Sequence, residues 1–164
     1  MSTEPKNLNV REARLPEDRP ALEEFVLALN RFEHAFESNR RTDEAIGPEY
    51  FAVLMKRVAE NDGRVLVAER NGDLVGWLVS VVDEGPVFVR EDKRATGYVI
   101  ELFIEEGARR SGVGGALLRA AEDDFRARGL RTMMIGVMAG NANARAAYQA
   151  RGFEPYALQL IKPI

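Results

Sequence analysis

Residues 97–129 read GYVIELFIEEGARRSGVGGALLRAAEDDFRARG and contain a strand, a glycine-bearing loop and a helix. Tyr98 to Ile104 is an apolar run interrupted only by Glu101, which predicts a strand buried on most of its surface. The helix begins near Ala116, and Gly129 is a typical residue for its C-terminal end. Its apolar side chains recur at helical spacing at Leu117, Leu118, Ala121 and Phe125. We expect the fold to be organised around this strand–loop–helix unit.

The loop from Arg109 to Gly115 has the composition of a phosphate-binding loop. Glycines let the backbone approach a ligand, the helix start carries partial positive charge, and arginines add charge-assisted donors. A dinucleotide fingerprint would need glycine at Leu117, and a P-loop would need lysine after Gly114. The loop matches the pattern Arg-x-x-Gly-x-Gly instead. Taken alone, two glycines before a helix are equally typical of a structural turn.

The composition excludes several classes of protein. The absence of cysteine rules out disulfides, thiolate metal sites and a cysteine nucleophile, and one histidine, His34, cannot form a multi-histidine metal site. A net charge of −3 argues against a nucleic-acid partner. No apolar run approaches the ~18 residues of a membrane span, and Met1–Asn7 is unlike a signal peptide. We therefore expect a cytoplasmic protein without a metal.

The remaining chain alternates between strand and helix patterns. Further strands are predicted at 8–13, 65–69, 74–82, 132–138 and 153–162, and further helices at 19–36, 48–60 and 141–151. The Asn71-Gly72 pair predicts a hairpin turn, and the polar segment 83–96 leaves room for an extra strand. A helical crossover joins 98–104 to 132–138, so these strands should be parallel neighbours. Residues 1–7 are expected to be a flexible tail and 8–164 one domain.

A second motif begins at Asn141 and reads NANARAAYQARGF. With the loop motif and the order of the elements, it resembles the GCN5-related N-acetyltransferase (GNAT) family, whose pattern is Asn-x-x-Ala-x-x-x-Tyr-x-x-x-Gly-Phe. The resemblance covers nearly the full length. It implies an α+β fold with a central mixed, mainly antiparallel sheet of six to seven strands and about four helices. It also implies that the sheet is splayed between the strands at 98–104 and 132–138.

The resemblance implies acetyl-CoA as co-substrate and assigns residues to each part of it. Loop amides would hold the pyrophosphate, at Arg109, Arg110, Ser111, Gly112, Val113, Gly114 and Gly115. The pantetheine arm would enter the splayed gap along Leu102, Phe103 and Ile104, with an amide near Phe103 polarising the thioester. Asn141 would bond the arm from the other side, although a simple helix N-cap explains this residue equally well.

Two residues are candidates for catalysis. Tyr148 matches the general acid of the family, although a half-buried aromatic residue is the alternative interpretation. Glu101 is the one acid within the central apolar run, where reduced hydration would raise its pKa and favour a role as base. Strand alternation puts it on the same face as Phe103. Glu33, Glu105 and Glu106 are alternative bases, and His34 fits a surface position better than a catalytic one.

The function expected from the resemblance is transfer of an acetyl group to a primary amine by direct attack in a ternary complex. The acceptor would be a small-molecule or peptide amine, and acidic and basic residues in the variable segments leave its identity open. The alternative is a catalytically silent CoA-binding sensor or partner-docking module. A nucleotide-binding regulator fits less well because its glycine and lysine positions are missing. A homodimer is also allowed, with the segment Tyr156–Ile161 as an available edge.

Overall fold

The computed structural model describes residues 7–164, and a five-stranded sheet lies at its centre. The strands, in their spatial order, are β1 (Leu8–Glu12), β2 (Arg64–Arg70), β3 (Asp73–Glu84), β4 (Ala95–Ile104) and β5 (Met133–Ile135). The helices are α1 (Arg19–Glu33), α2 (Ile46–Glu60), α3 (Glu91–Arg94), α4 (Val113–Ala127) and α5 (Ala142–Gln149). Strands β1 to β4 are antiparallel, and β5 is parallel to β4. The predicted mixed, mainly antiparallel α+β fold is confirmed.

Helices cover both faces of the sheet and bury one apolar cluster on each. On one face α1 and α2 pack against the strands, through Leu22, Phe25, Val26, Phe51, Leu54, Trp77 and Phe103. On the other face α4 packs, through Leu66, Leu78, Val99, Leu117, Leu118, Ala121 and Phe125. Neighbouring residues such as Trp77 and Leu78 join different clusters because side chains alternate along a strand. The apolar face predicted for α4 is confirmed as buried.

Strand β4 parts from β5 halfway along its length. The β5 residues pair only with Gly97, Tyr98 and Val99, so Ile100 to Ile104 has no neighbour on that side in residues 7–164. The pairing of β4 with β3 is irregular at the same place, since Val99 and Glu101 oppose consecutive β3 residues and leave Ile100 as a bulge. The predicted splay is confirmed, and we call the open space beside Ile100–Ile104 the gap.

Residues 7–164 contain five strands, fewer than the six to seven predicted. Within these residues segment 153–162 forms no strand, because it lies beside none of the five and an isolated strand leaves its backbone groups unpaired. Segment 83–96 adds no separate strand; β3 and β4 extend until Glu84 opposes Ala95, and a turn at Pro86 and the short α3 connect them. The strand predicted at 132–138 is only the three residues of β5.

Other local predictions can be compared directly with the structure. Asn71 and Gly72 form the predicted two-residue hairpin turn, with φ of 54° and 91°. The predicted N-terminal tail lies outside the described residues except for Asn7. Within residues 7–164, every helix is too short or too polar to cross a membrane.

Replacing Gly97 by alanine should destabilise the fold. A Cβ at this position would lie 2.5 Å from ring atoms of Phe125, so β4 and α4 would have to move apart. Overpacking of this kind costs about 1–3 kcal/mol. Urea denaturation should therefore show a lower midpoint for Gly97→Ala. Gly107→Ala is the control, since its Cβ would have no neighbour within 4 Å; equal stability of the two variants would contradict the packing described here.

Candidate active site

The loop before α4 presents a row of backbone N–H groups without protein acceptors. Among the described residues, none of the N–H groups from Arg110 to Gly115 donates a well-formed hydrogen bond to the protein, and the first helical bond joins Ala116 N to Gly112 O at 3.0 Å. Arg110 and Gly112 have φ of 58° and 86°, a left-handed backbone that turns successive amides toward one side. Together with the start of α4, this row is suited to an anion with several oxygens.

Two side chains of this loop contact other parts of the protein rather than face outward. Ser111 Oγ donates to Ala108 O at 2.6 Å and accepts from Arg70 Nη2 at 2.8 Å. Arg109 Nε donates to Ile104 O at 3.0 Å, and its guanidinium lies 4.8 Å from the centre of the Phe32 ring. These contacts tie the loop to β2, β4 and α1, and they leave the loop backbone as its main donor surface.

The gap exposes backbone groups of β4. Glu105 N donates to Val75 O on β3, and hydrogen bonding alternates along an antiparallel pair. The amide of Phe103 therefore points toward β3, and the amides of Leu102 and Ile104 point toward the gap. Of the three residues predicted to offer backbone groups here, Phe103 therefore pairs within the sheet, and Leu102 and Ile104 face the gap.

The second motif places Asn141 and Tyr148 on α5. Asn141 Oδ1 accepts from Ala144 N at 3.1 Å, so the residue is the N-cap of this helix. Tyr148 packs edge-to-face on Phe153, with ring centroids 5.9 Å apart. Burial, and to a smaller extent the charge of Glu33, raises the pKa of Tyr148 to about 12. Its hydroxyl group is therefore protonated throughout the neutral range.

Glu101 lies on the α1–α2 side of the sheet and interacts there with Glu33, Tyr50 and Arg40, a group of side chains that we call the acidic pocket. Its side chain lies on the same face of the sheet as Phe103, as strand alternation predicted. The bulge at Ile100 determines which face this is, because it shifts the alternation along β4. Burial raises the pKa of Glu101 to about 8, the charge of Glu33 adds to this shift, and Tyr50, Arg40 and Arg57 oppose it. Burial and Glu101 likewise raise the pKa of Tyr50 to about 12. The pocket therefore holds a carboxyl group that can exchange a proton near neutral pH.

The connection between α1 and α2 closes over this pocket. Arg40 Nε donates to Glu33 at 2.9 Å, and Arg40 Nη2 contacts Met138 Sδ at 3.4 Å. Phe36 packs on Phe32, with ring centroids 5.4 Å apart, and reaches the backbone at Gly140. The end of α1 is thereby held against the segment that follows β5.

The remaining candidates lie in less enclosed positions. Glu105 and Glu106 are exposed at the turn after β4, whereas Glu33, the third alternative base, is partly buried in the pocket. His34 is exposed, and its Nδ1 lies 2.9 Å from Arg40 O. Sequence reasoning missed Tyr50 and Arg40 as members of the pocket. In residues 7–164 no group of three histidine, cysteine or acidic residues could hold a metal ion.

A bulged strand that leaves its parallel neighbour, followed by a glycine loop and a helix, defines the fold class of the N-acetyltransferases. The sequence model of the acetyltransferase (GNAT) family matches residues 25–153. The chain belongs to this family.

Individual relatives agree with this assignment. An uncharacterized N-acetyltransferase of Bacillus subtilis, YhfO, is 29% identical over 115 residues, which are 70% of this chain and 73% of that protein. A mycothiol acetyltransferase of Beutenbergia cavernae is 36% identical over 86 residues, half of this chain but only 29% of the relative. The fold alone is also shared with a solved structure of a tetramutant of the BH1408 protein from Bacillus halodurans, which superimposes with a TM-score of 0.82 at 19% identity and covers 95% of this chain and 99% of the other.

Folding stability should depend on pH through Glu101. Its pKa is raised from 4.5 to about 8, so the folded state binds a proton that the unfolded state releases. The stabilising contribution is therefore complete below pH 4.5 and is lost as the pH rises to 8. Glutamine resembles the protonated carboxyl group, so Glu101→Gln should exceed the wild-type stability by on the order of 3 kcal/mol at pH 9 and by little at pH 5.

Urea denaturation at the two pH values measures this difference. Glu105→Gln, which removes an exposed carboxylate four residues away, is the matched control and should not show it. A stability difference for Glu101→Gln that is the same at pH 5 and pH 9 would contradict the protonation described here.

Proposed function

We propose that this protein transfers an acetyl group from acetyl-CoA to a primary amine by direct attack within a ternary complex. The observation that carries the proposal is the junction of three features at the gap. The N–H row of the loop follows directly after β4, the amides of Leu102 and Ile104 line one side, and Glu101 lies in the same stretch of β4 that leaves β5. Membership of the acetyltransferase family supports the same reading.

The loop and the gap would bind different parts of acetyl-CoA. The N–H groups from Arg110 to Gly115 would hold the diphosphate, since they are close together and lack protein acceptors. Leu102 and Ile104 would pair with the amides of the pantetheine arm as an added strand does. The amide group of Asn141 would bond the arm from the opposite side while its oxygen caps α5.

Glu101 and Tyr148 would carry out the proton transfers from the amine and to the sulfur. When bound, acetyl-CoA supplies an activated thioester. In its ionised form Glu101 would take a proton from the acceptor ammonium, directly or through a water, because a pKa near 8 makes it a stronger base than an ordinary carboxylate. A backbone N–H of Leu102 or Ile104 would polarise the thioester carbonyl while the new C–N bond forms. Tyr148 would donate its proton to the sulfur as the C–S bond breaks, and the second proton that the nitrogen loses on becoming an amide would return to the Tyr148 oxygen.

The pocket chemistry favours a cationic acceptor. Glu33 and Glu101 place two carboxyl groups in the pocket, and the aromatic side chain of Tyr50 lies beside Glu101. Arg40 pairs with Glu33 and offsets part of this charge. An amine carried on a small molecule, or a peptide amine, fits this combination of acidic and aromatic groups.

Glycine at position 114 should be needed for cofactor binding. A valine there would add bulk within the N–H row, where even a Cβ already reaches van der Waals contact with Ile104 at 3.7 Å. Acetyl-CoA should raise the melting temperature of the wild-type protein by mass action and have no such effect on Gly114→Val. Gly107→Val carries the same change at an open position and should keep the shift. A normal shift in Gly114→Val would remove the loop from the binding site.

Loss of the Tyr148 hydroxyl should slow turnover more than it weakens cofactor binding. The release of free thiol from acetyl-CoA, measured across a panel of amines, should show a kcat reduced about 10²-fold or more for Tyr148→Phe. The acetyl-CoA melting shift should remain, because the ring and its contact with Phe153 are kept. Unchanged kcat would exclude the proton-donor role. A wild-type protein that binds acetyl-CoA but releases no thiol with any amine would instead be a sensor or docking module.

A further inference from the structure

The face of β4 that carries Glu101 continues toward Tyr98. Glu101 pairs with Val79, and Val79 packs against α1 and α2. Tyr98 pairs with Val81, which lies two residues farther along β3 and therefore on the same face of the sheet. The Tyr98 hydroxyl group reaches the segment after β5, where a Cβ at Gly136 would lie 3.3 Å from it. The surface beside the acidic pocket thus extends across β4 to the end of β5.

Helix α2 borders the same face with Tyr50 and Arg57. Residues seven apart lie on one flank of a helix, because seven residues make almost two full turns. The flank that Tyr50 turns toward Glu101 therefore also carries Arg57. The charge of Arg57 acts on both groups, since it opposes the rise in the pKa of Glu101 and of Tyr50 that burial causes. Arg57 is thus close to the acidic pocket, two turns farther along α2.

Backbone hydrogen bonds hold the C-terminal end of α2 level with the start of β4. Asn61, directly after α2, accepts from Val82 N at 2.9 Å, and Val82 pairs with Gly97 of β4. Arg57 O accepts from Asn61 N at 3.0 Å, one helical turn earlier. Arg57 therefore lies at the Tyr98 end of the surface beside the acidic pocket.

The charges around this surface leave one cation and one acid without a partner. The guanidinium of Arg57 is exposed and, within residues 7–164, forms no hydrogen bond or ion pair. Arg40 is already paired with Glu33, at 2.9 Å. Glu101 has no cationic partner at hydrogen-bond distance in the same part of the chain. An unpaired cation and an unpaired acid on one face complement a ligand that carries both charges.

We propose that the acceptor is an amino acid, whose ammonium group lies at Glu101 and whose carboxylate binds Arg57. This inference rests on the acetyl transfer proposed above and names the class of amine that the site takes. A guanidinium holds a carboxylate through two parallel hydrogen bonds, which fixes the direction in which the amine enters. The carboxylate takes no part in the bond changes. The nitrogen forms the C–N bond and loses its two protons through Glu101 and Tyr148, the C–S bond breaks, and the products are an N-acetyl amino acid and CoA.

Calorimetry on the full chain saturated with CoA tests the carboxylate contact without turnover. The probes are the standard L-amino acids, β-alanine and 4-aminobutyrate, each beside its carboxamide, which keeps the amine but lacks the carboxylate. At least one amino acid should bind ~10-fold or more tightly than its carboxamide, because a bidentate charged contact is lost in the amide. Binding of no amino acid, or equal binding of each amino acid and its carboxamide, would overturn the proposal.

Replacing Arg57 by glutamine should remove this preference. Arg57→Gln should weaken binding of the preferred amino acid ~10-fold or more and leave binding of its carboxamide unchanged, since only the carboxylate loses its partner. Lys56→Gln is the matched control, because it removes a positive charge from the same turn of α2 but Lys56 points about 100° away and lies 3.8 Å from Glu60. An Arg57→Gln protein with the wild-type preference would overturn the assignment of Arg57.

Release of free thiol from acetyl-CoA separates this inference from the acetyl transfer on which it rests. The preferred amino acid should release thiol, and Arg57→Gln should raise its KM with little change in kcat, because Arg57 contacts none of the reacting atoms. Thiol release with carboxamides or simple amines but with no amino acid would overturn the amino-acid acceptor and leave acetyl transfer in place. Binding of an amino acid that depends on Arg57, with no thiol release for any amine, would keep the amino-acid site and contradict acetyl transfer.

Discussion

Strand β4 leaves β5 at Ile100, and this irregularity determines where the side chains and backbone groups of the site lie. The bulge gives β4 one more residue than β3 at this point, so Val99 faces α4 while Ile100 and Glu101 both face α1 and α2. The same change ends the pairing with β5 and leaves the amides of Leu102 and Ile104 beside the gap. One irregularity thus positions the carboxyl group and opens the sheet.

The ends of the gap are held by contacts between distant parts of the chain. Arg70 on β2 bonds Ser111 of the loop, and Arg109 reaches from the loop to Phe32 on α1. Arg40 joins Glu33 to Met138 across the pocket. Because these side-chain bonds connect separate elements, the backbone donors of the loop and of β4 are held in fixed positions. Pre-organised donors of this kind are the usual basis of charge stabilisation in enzymes.

Features set by local sequence were predictable, and those set by long-range contacts were not. The hairpin at Asn71-Gly72 follows from the backbone those residues favour, and alternation placed Glu101 on its face. The proximity of Tyr50 to Glu101 depends on how α2 packs across β4, which no local pattern reveals. The strand predicted at 153–162 has the right residue pattern, yet a strand also needs a neighbour, which the pattern of one chain does not reveal.

Hydrogen exchange of backbone amides with and without CoA measures whether the loop and the gap hold the cofactor. The amides from Arg110 to Gly115, together with those of Leu102 and Ile104, lack protein acceptors or face the gap and should exchange at least ~10-fold more slowly when CoA is bound. The Phe103 amide, which points to β3, should be protected in both states. Unchanged exchange at the loop and at Leu102 and Ile104, with CoA bound at saturation, would show that CoA binds elsewhere.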